Sequence, residues 1–387
     1  MTEKLYYKDS HLFSFSASVL GCEKKDDSKY LITLDRTAFF PEGGGQRADT
    51  GSISGAHVSY VFEKNGVIFH ECDAFVVPGS EAVCSVDREQ RLRRMQNHSG
   101  EHILSGLIYR NFGYTNVGFH MGESFMTIDF SGELSDADLE MIERTANEKV
   151  RENIPVIAYF PSPEDLEKTD YRSKLDLREK VRLVRIEGCD ICACCAPHVS
   201  FTGEIGLIKI LSSMRHRGGT RIEAVCGMDA LDNYRIRQRS AEKISALLSA
   251  KQDAISEAVE RVLKTAADEK ERIAALSMEC ASFKAGAVAQ TEGNICIFDS
   301  LLDDVALREL VNLLAEKCSG MAAAFSGDDD AGFRYIIGSR SMDLRKSAAA
   351  INAGINGKGG GSPPMIQGSC KESSETIRNF IIDFKMI

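Results

Sequence analysis

Tryptophan is missing altogether from the 387 residues, an absence that excludes nothing by itself. Other absences exclude more. No opening run joins a basic start to an apolar core, and no apolar run nears the ~18 residues that a membrane span needs. The expectation is a cytoplasmic protein with no membrane partner. In a chain without an export signal, twelve cysteines are not expected to build a disulfide framework. An excess of basic residues is lacking too. The net charge of −10 argues against a partner held by bulk electrostatics alone, because nucleic-acid binders usually carry a basic footprint. Between about 229 and 286 there is no proline, and Gly286 is the one glycine. That stretch reads as uninterrupted helix or a helical hairpin. The rest is ordinary: 43% hydrophobic and 27% charged residues, with room for two or three domains.

Against this background one stretch stands out, His98-Ser99-Gly100-Glu101-His102. Histidines four apart on a helix stack one turn above the other on the same face, which offers two imidazoles to one metal ion. About 90 residues downstream, cysteines crowd into Cys189-Asp190-Ile191-Cys192-Ala193-Cys194-Cys195-Ala196-Pro197-His198. Cys194 and His198 complete a set of three histidines and a thiolate, a donor set that suits tetrahedral zinc and not magnesium or calcium. Cys189, Cys192 and Cys195 compete for the thiolate role, and spacing alone does not choose among them. Basic residues flank both halves. Arg88, Arg91, Arg93 and Arg94 lead into the histidine helix, and Arg215, His216, Arg217 and Arg221 follow the cysteines.

Taken in order, the chain reads as α+β. Residues 1–90 are mostly strand, separated by turn signals such as Asn65-Gly66 and Pro78-Gly79. They contain Pro41-Glu42-Gly43-Gly44-Gly45-Gln46, where three glycines permit close backbone approach. Residues 91–228 alternate helix and strand. Ser135-Asp136-Ala137-Asp138 starts a helix to about Asn153, and the cysteine cluster reads as a loop. In 229–286, Ile244, Leu248, Ile255, Val259, Val262, Ala266 and Ile273 recur near coiled-coil spacing. Such a seam needs burial, within a hairpin or between two chains. Residues 287–387 read as a last α/β domain. It carries Asn356-Gly357-Lys358-Gly359-Gly360-Gly361-Ser362-Pro363, a glycine-rich loop with one lysine that suits a phosphate cradle but lacks the Walker spacing.

These motifs in this order resemble the editing domain of alanyl-tRNA synthetases and its free-standing relatives, the AlaX proteins. The carriers are His98-x-x-x-His102, Cys194-x-x-x-His198, Pro41 to Gln46, Thr202-Gly203-Glu204-Ile205-Gly206 and Gly219-Thr220-Arg221-Ile222-Glu223. The C-terminal part resembles the DHH-associated domain of the same proteins, through Gly357 to Pro363. The resemblance covers nearly the whole chain and implies four parts. These are a small β-barrel (1–90), a zinc-dependent α+β editing domain (91–228), a helical, coiled-coil-like linker (229–286) and a DHH-associated α/β domain (287–387).

The resemblance implies a Zn²⁺ held by His98, His102, Cys194 and His198. It also implies hydrolysis, in trans, of mischarged alanine tRNA carrying serine or glycine. Ser99 and Glu101 are the catalytic candidates, Ser99 as partner of the seryl hydroxyl and Glu101 as proton acceptor. Gly43, Gly44, Gly45, Gln46, Arg94 and Arg221 are the substrate-binding candidates, with Lys358, Gly359, Gly360 and Gly361 in the C-terminal loop. A homodimer through the helical linker and last domain is expected. Two rival readings are a non-catalytic tRNA-binding module with structural zinc and an inverted H-x-x-E-H metallopeptidase with Glu101 as base.

Overall fold

A computed structural model describes residues 1–173 and 181–385. The chain divides into two compact units, Met1–Ser240 and Ala241–Ile387. Among the described residues no helix is long and apolar enough to cross a membrane.

The first unit begins with a closed six-stranded barrel. Its strands are β1 (Ser14–Lys24), β2 (Tyr30–Leu34), β3 (Gly51–Ile53), β4 (Ala56–Lys64), β5 (Val67–Cys72) and β6 (Glu81–Val86). They run around the barrel as β1-β2-β5-β4-β3-β6. Alternation fills the interior: along β6 every second residue, Ala82, Cys84 and Val86, is buried. Asn65 and Gly66 both take positive φ, 52° and 76°, the two left-handed positions that a tight hairpin between β4 and β5 requires.

Helix α1 (Arg88–Phe112) follows directly. The Asp87 side chain accepts from the Gln90 N–H at its start, and Gly113 ends it in the left-handed conformation, φ 74°. Every residue from 97 to 108 is buried, so the middle of α1 is a central rod with no solvent face. Around it lie a four-stranded antiparallel sheet, a three-stranded sheet and α2 (Asp136–Arg151). The first sheet holds β7 (Asn116–Met121), β8 (Met126–Phe130), β12 (Ile208–His216) and β13 (Gly219–Cys226), in the order β12-β13-β8-β7. The second is β9 (Val156–Tyr159), β10 (Leu183–Ile186) and β11 (Asp190–Ala193). Close packing explains two glycines of α1. A Cβ on Gly100 would lie 2.3 Å from the Cys226 sulfur, and one on Gly106 would lie 2.5 Å from the Cys189 carbonyl oxygen. The expected cap on α2 is present as a reciprocal box of Ser135 and Asp138, and Leu139, Ile142, Ala146 and Val150 face the core.

The long helical stretch is two helices, α3 (Met228–Leu248) and α4 (Ile255–Gly286), and the boundary between the units falls inside α3. In the second unit, β14 (Ile295–Phe298), β15 (Ala322–Asp328), β16 (Gly332–Gly338), β17 (Gly357–Ser362) and β18 (Met365–Cys370) form one sheet ordered β14-β15-β16-β18-β17. Successive residues of β15 point to opposite faces. Ala322 and Ala324 pack with the end of α4 and with α5 (Asp304–Ala315). Ala323 and Phe325 pack with α6 (Leu344–Gly354) and α7 (Ser374–Asp383).

Two expectations are corrected here. The glycine-rich run is an edge strand, not a loop. Lys358, Gly359, Gly360 and Gly361 pair with Ser369, Gly368, Gln367 and Ile366, so half of their backbone groups are committed to a ladder. A Cβ on Gly359 or Gly361 would lie 2.3 Å from a β18 carbonyl oxygen, which accounts for glycine there without any ligand. The cysteine cluster is likewise not all loop, since β11 takes Asp190 to Ala193 and pairs in register with β10.

Candidate metal centre

The buried length of α1 carries His98 and His102 on one side, their ring centroids 5.4 Å apart. Opposite them comes the segment that leaves β11. The Cys194 N–H donates to the Arg182 carbonyl at 3.0 Å. The Arg182 guanidinium donates to the carbonyls of Cys194 and Ala196 at 3.0 and 2.9 Å, which fixes the turn leading to His198. The Cys194 sulfur then lies 3.5 Å from His98 Nε2 and 3.3 Å from His198 Nε2. One donor atom from each of His98, His102, Cys194 and His198 falls within 4.8 Å of the others.

This donor set fits a tetrahedral zinc. Bonds of about 2.3 Å to sulfur and 2.0–2.1 Å to nitrogen place S and N about 3.6 Å apart across a tetrahedral edge. The rings are also oriented from behind. Nδ1 of His98 meets Gln46 Oε1 at 2.7 Å, Nδ1 of His102 meets Asp190 Oδ2 at 2.9 Å, and Nδ1 of His198 meets Ser99 Oγ at 3.1 Å. Each partner can accept an Nδ1 proton, leaving Nε2 as the donor atom of each ring. Asp190 is itself gripped by Arg172, Nε to Oδ1 and a terminal nitrogen to Oδ2, both 2.7 Å. Cys189 and Cys192 do not join the four donors, although Cys192 groups with His102 and Asp190.

Protonation follows from this packing. Burial alone would raise the Cys194 thiol, but His98, His198 and the hydrogen bonds from His102 and His198 outweigh it and hold the thiol well below its ordinary range. Burial depresses His198 to about 3 despite the thiolate beside it. At His102 burial is overcome by hydrogen bonds to Asp190 and Cys194, which raise it. Asp190 is lowered, the pull of His102 and Arg172 exceeding its desolvation. A thiolate stabilised by imidazoles is the state in which cysteine binds a metal.

Three of the four donors, His98, His102 and Cys194, form part of the wall of a cavity of about 580 Å³, whose lining also includes Gly44, Gly45, Glu101 and Phe119. Glu101 is buried, not a solvated helix carboxylate. Its Oε1 accepts from Ser105 Oγ at 2.6 Å and from Asn116 Nδ2 at 2.5 Å, and its Oε2 stands 3.9 Å from His102 Nε2.

Several candidate residues lie elsewhere than expected. Ser99 is fully buried and bonds His198 Nδ1 and the Val199 N–H. It sits behind the His198 ring and is not among the residues that line the cavity. Gln46 is also buried, with its Oε1 against His98 Nδ1. Gly44 and Gly45 do line the cavity, whereas Gly43 closes a bridge with Gln46. Arg94 donates to the Ala48 carbonyl and lines a separate pocket with Arg47 and Arg93. Arg221 pairs with Asp129 across neighbouring strands, 2.6 and 2.7 Å. The basic clusters are largely spent internally: Arg91 is buried against Asp49, Arg93 bridges Asp229 and Asp232, and Arg215 meets Glu133. Asp190, Arg172, Arg182, Tyr7 and Phe160 escaped the sequence reading. Asp190 lies within the cysteine run, where thiols drew the attention, and a carboxylate behind a histidine has no sequence spacing to betray it.

Residues 181–223 match the family described as threonyl and alanyl tRNA synthetase second additional domain. Over 97% of its length the chain is 27% identical to the alanyl-tRNA editing protein AlaX-L of Pyrococcus horikoshii, covering 96% of that protein. It is 29% identical to an alanine–tRNA ligase of Methanopyrus kandleri and 31% identical to one of Natronomonas pharaonis. These alignments span 95% and 86% of the chain but 42% and 38% of the ligases, so the chain matches less than half of either enzyme.

Proposed function

We propose that this chain, similar from end to end to a free-standing alanyl-tRNA editing protein and to the corresponding part of alanine–tRNA ligases, removes serine, and glycine more slowly, from mischarged alanine tRNA. The reaction is hydrolysis of the ester between the amino acid and the terminal ribose. The observation that carries this reading is a cluster of four candidate zinc donors, three of which line one cavity together with a buried carboxylate.

His98, His102, Cys194 and His198 would hold the ion, which when bound would supply a Lewis acid at the end of the substrate. Gln46, Asp190 and Ser99 keep the three rings turned so that Nε2 faces inward. Glu101 accepts a proton from the attacking water, its carboxylate held still by Ser105 and Asn116. Serine is favoured over alanine through its hydroxyl, a difference that a hydrogen bond in the pocket can make large. The glycine-lined edge at Gly44 and Gly45 lets the ribose end approach backbone closely. The exposed apolar residues of α4, among them Val262 and Ile273, support a homodimer through that helix. A reaction on tRNA goes with a cytoplasmic protein.

A second reading has an observation in its favour. Four protein ligands fill a zinc tetrahedron, the pattern of structural sites, which suits a non-catalytic tRNA-binding module. Against it stands the position of three of the donors in the wall of a cavity and not under a sealed core. The metallopeptidase alternative loses support because Cys194 and His198, not a distant glutamate, complete the histidine pair.

The decisive experiment is deacylation of tRNA charged with serine, glycine or alanine, alongside zinc analysis. Wild-type protein is expected to carry about one zinc per chain and to release serine catalytically. Cys194→Ala loses most of the zinc and the turnover, whereas Cys195→Ala keeps both. Zinc retained in full with no release of serine or glycine would establish the structural-zinc reading instead.

A further inference from the structure

The cavity before His98, His102 and Cys194 exceeds what the ester itself requires. Its volume of about 580 Å³ is in the range of roughly 300–1,000 Å³ typical of pockets that enclose a drug-sized ligand, and a seryl group is only a few atoms. One part of the wall is made of rings. Tyr7 precedes the barrel, Phe160 follows β9, and the two meet edge to face with centroids 5.7 Å apart and planes at 73°. The Arg182 guanidinium carbon stands 5.1 Å from the Tyr7 ring centroid, within cation–π range. All three side chains line the cavity. A third ring, Phe119, lies instead against His98 with centroids 5.1 Å apart, beside the candidate metal donors.

Core packing explains the aromatic wall only in part, since Tyr7 packs against the barrel core but not with its whole surface. Phe160 leaves 54% of its surface exposed, and Tyr7 is half-buried. Arg182 is held in place by the same turn that carries Cys194, through its bonds to the Cys194 and Ala196 carbonyls. The cation that polarises the Tyr7 face is therefore fixed relative to the metal donors. The net charge is −10 and the arginine clusters are largely paired within the chain. Attraction to phosphates is weak, and affinity for a nucleic-acid end has to come from another source.

We propose that Tyr7, Phe160 and Arg182 form a stacking platform for the terminal adenine of the aminoacylated tRNA, holding the base while its ribose ester lies before His98, His102 and Glu101. The inference rests on the deacylase reading above. Every tRNA ends in the same adenosine, so the site needs no reading of base edges. A π-face on an aromatic ring, reinforced by arginine, is enough, and it is the usual device for holding an unpaired nucleotide.

The test uses full-length protein, tRNA with 2-aminopurine as its terminal base, and the variants Phe160→Ala, Tyr7→Ala and Tyr7→Phe. Uncharged labelled tRNA should be quenched by wild-type protein and by Tyr7→Phe, and much less by either alanine variant. With serine-charged tRNA, each alanine variant should raise KM about 5- to 100-fold, the range for losing one base stack, while kcat stays within about twofold and zinc content is unchanged. Where Tyr7→Ala fails to fold, Phe160→Ala decides, its ring being more than half in solvent. Unchanged KM and unchanged quenching in Phe160→Ala would overturn the platform. Competition by adenosine monophosphate as strong as that by tRNA would also overturn it, in favour of a free-nucleotide site. If wild-type protein quenches the label but releases serine from no tRNA, the platform stands and the deacylase reading falls.

Discussion

Two helices of this chain make opposite use of their surfaces. On α1 every residue from 97 to 108 is buried, including two histidines, a glutamate, two serines and two glycines. On α4 every residue from 259 to 276 is exposed, including Val259, Val262, Leu263, Ile273 and Leu276. The helix with the cleaner apolar period is the exposed one, and the helix with a mixed sequence is the core of its unit. Burial follows from what surrounds a helix as much as from its own pattern. A polar helix can be central when each polar group has a built partner, and here His98, His102, Ser99 and Glu101 each have one. Such satisfied networks are demanding, because a single missing partner leaves a buried polar group unpaired.

The contrast extends to the units, since all eight histidines precede residue 217. His70 sharpens it. Burial inside the barrel depresses it to about 4, although its bond to the Ile32 carbonyl pulls the other way. Its other nitrogen meets Thr37 Oγ1 at 2.9 Å. The folded pKa lies below the unfolded value, so the unfolded chain takes up the proton first as pH falls. The stabilisation is full above about pH 6.5, erodes between 6.5 and 4, and amounts to as much as ~3 kcal/mol. Urea unfolding followed by hydrogen exchange should show the barrel weakening over that interval, with no histidine-linked slope in the second unit. His70→Gln should flatten the barrel's slope. An equal slope in the variant would assign the acid sensitivity to other groups.

A smaller effect tests the packing of α1 directly. In an ordinary helix Gly→Ala stabilises by up to ~1 kcal/mol. At Gly106 the added methyl would lie 2.5 Å from the Cys189 carbonyl oxygen and 2.7 Å from Asp190 Cβ, so the clash should reverse the sign and destabilise by about 1–3 kcal/mol. It should also weaken zinc binding, because Asp190 orients His102. Ala266→Gly on exposed α4 should cost only the propensity, about 1 kcal/mol. Denaturation midpoints and zinc titration check both. A stabilised Gly106→Ala with normal zinc affinity would mean that β11 yields freely.

How far the sequence could be read follows the same line. The Asn65-Gly66 hairpin, the Ser135 cap and the apolar face of α2 were legible because each rests on residues within a few positions of one another. The spacings of His98 with His102 and Cys194 with His198 were legible for the same reason. What could not be read depends on contacts over long sequence distances. Gln46 reaches His98 across 52 residues, Ser99 reaches His198 across 99, and Tyr7 meets Phe160 across the barrel and α1. Composition misled at Lys358 to Gly361, where repeated glycine signals close strand pairing as well as it signals a phosphate loop.

The smallest expected effect on stability belongs to the seam of α4. Ile273 is 63% exposed and Leu276 54% exposed, so neither contributes much burial within one chain. Ile273→Lys should change the unfolding free energy of an isolated chain by no more than about 0.5 kcal/mol, as surface substitutions generally do. The same substitution acts differently if two chains bury the seam together. A lysine at a coiled-coil core position costs association strongly while leaving each helix intact, since lysine is nearly as good a helix former as leucine. The measurement is therefore mass in solution, by sedimentation across a concentration series, beside circular dichroism. A dimer in wild-type protein that becomes monomer in Ile273→Lys, with unchanged helicity, would show that α4 is buried by a second copy and that its exposure belongs to the single chain alone. A monomer in both would leave α4 a solvent-facing helix. Its period would then have to be read as the by-product of alternating charges, which stabilise isolated helices through pairs three and four residues apart.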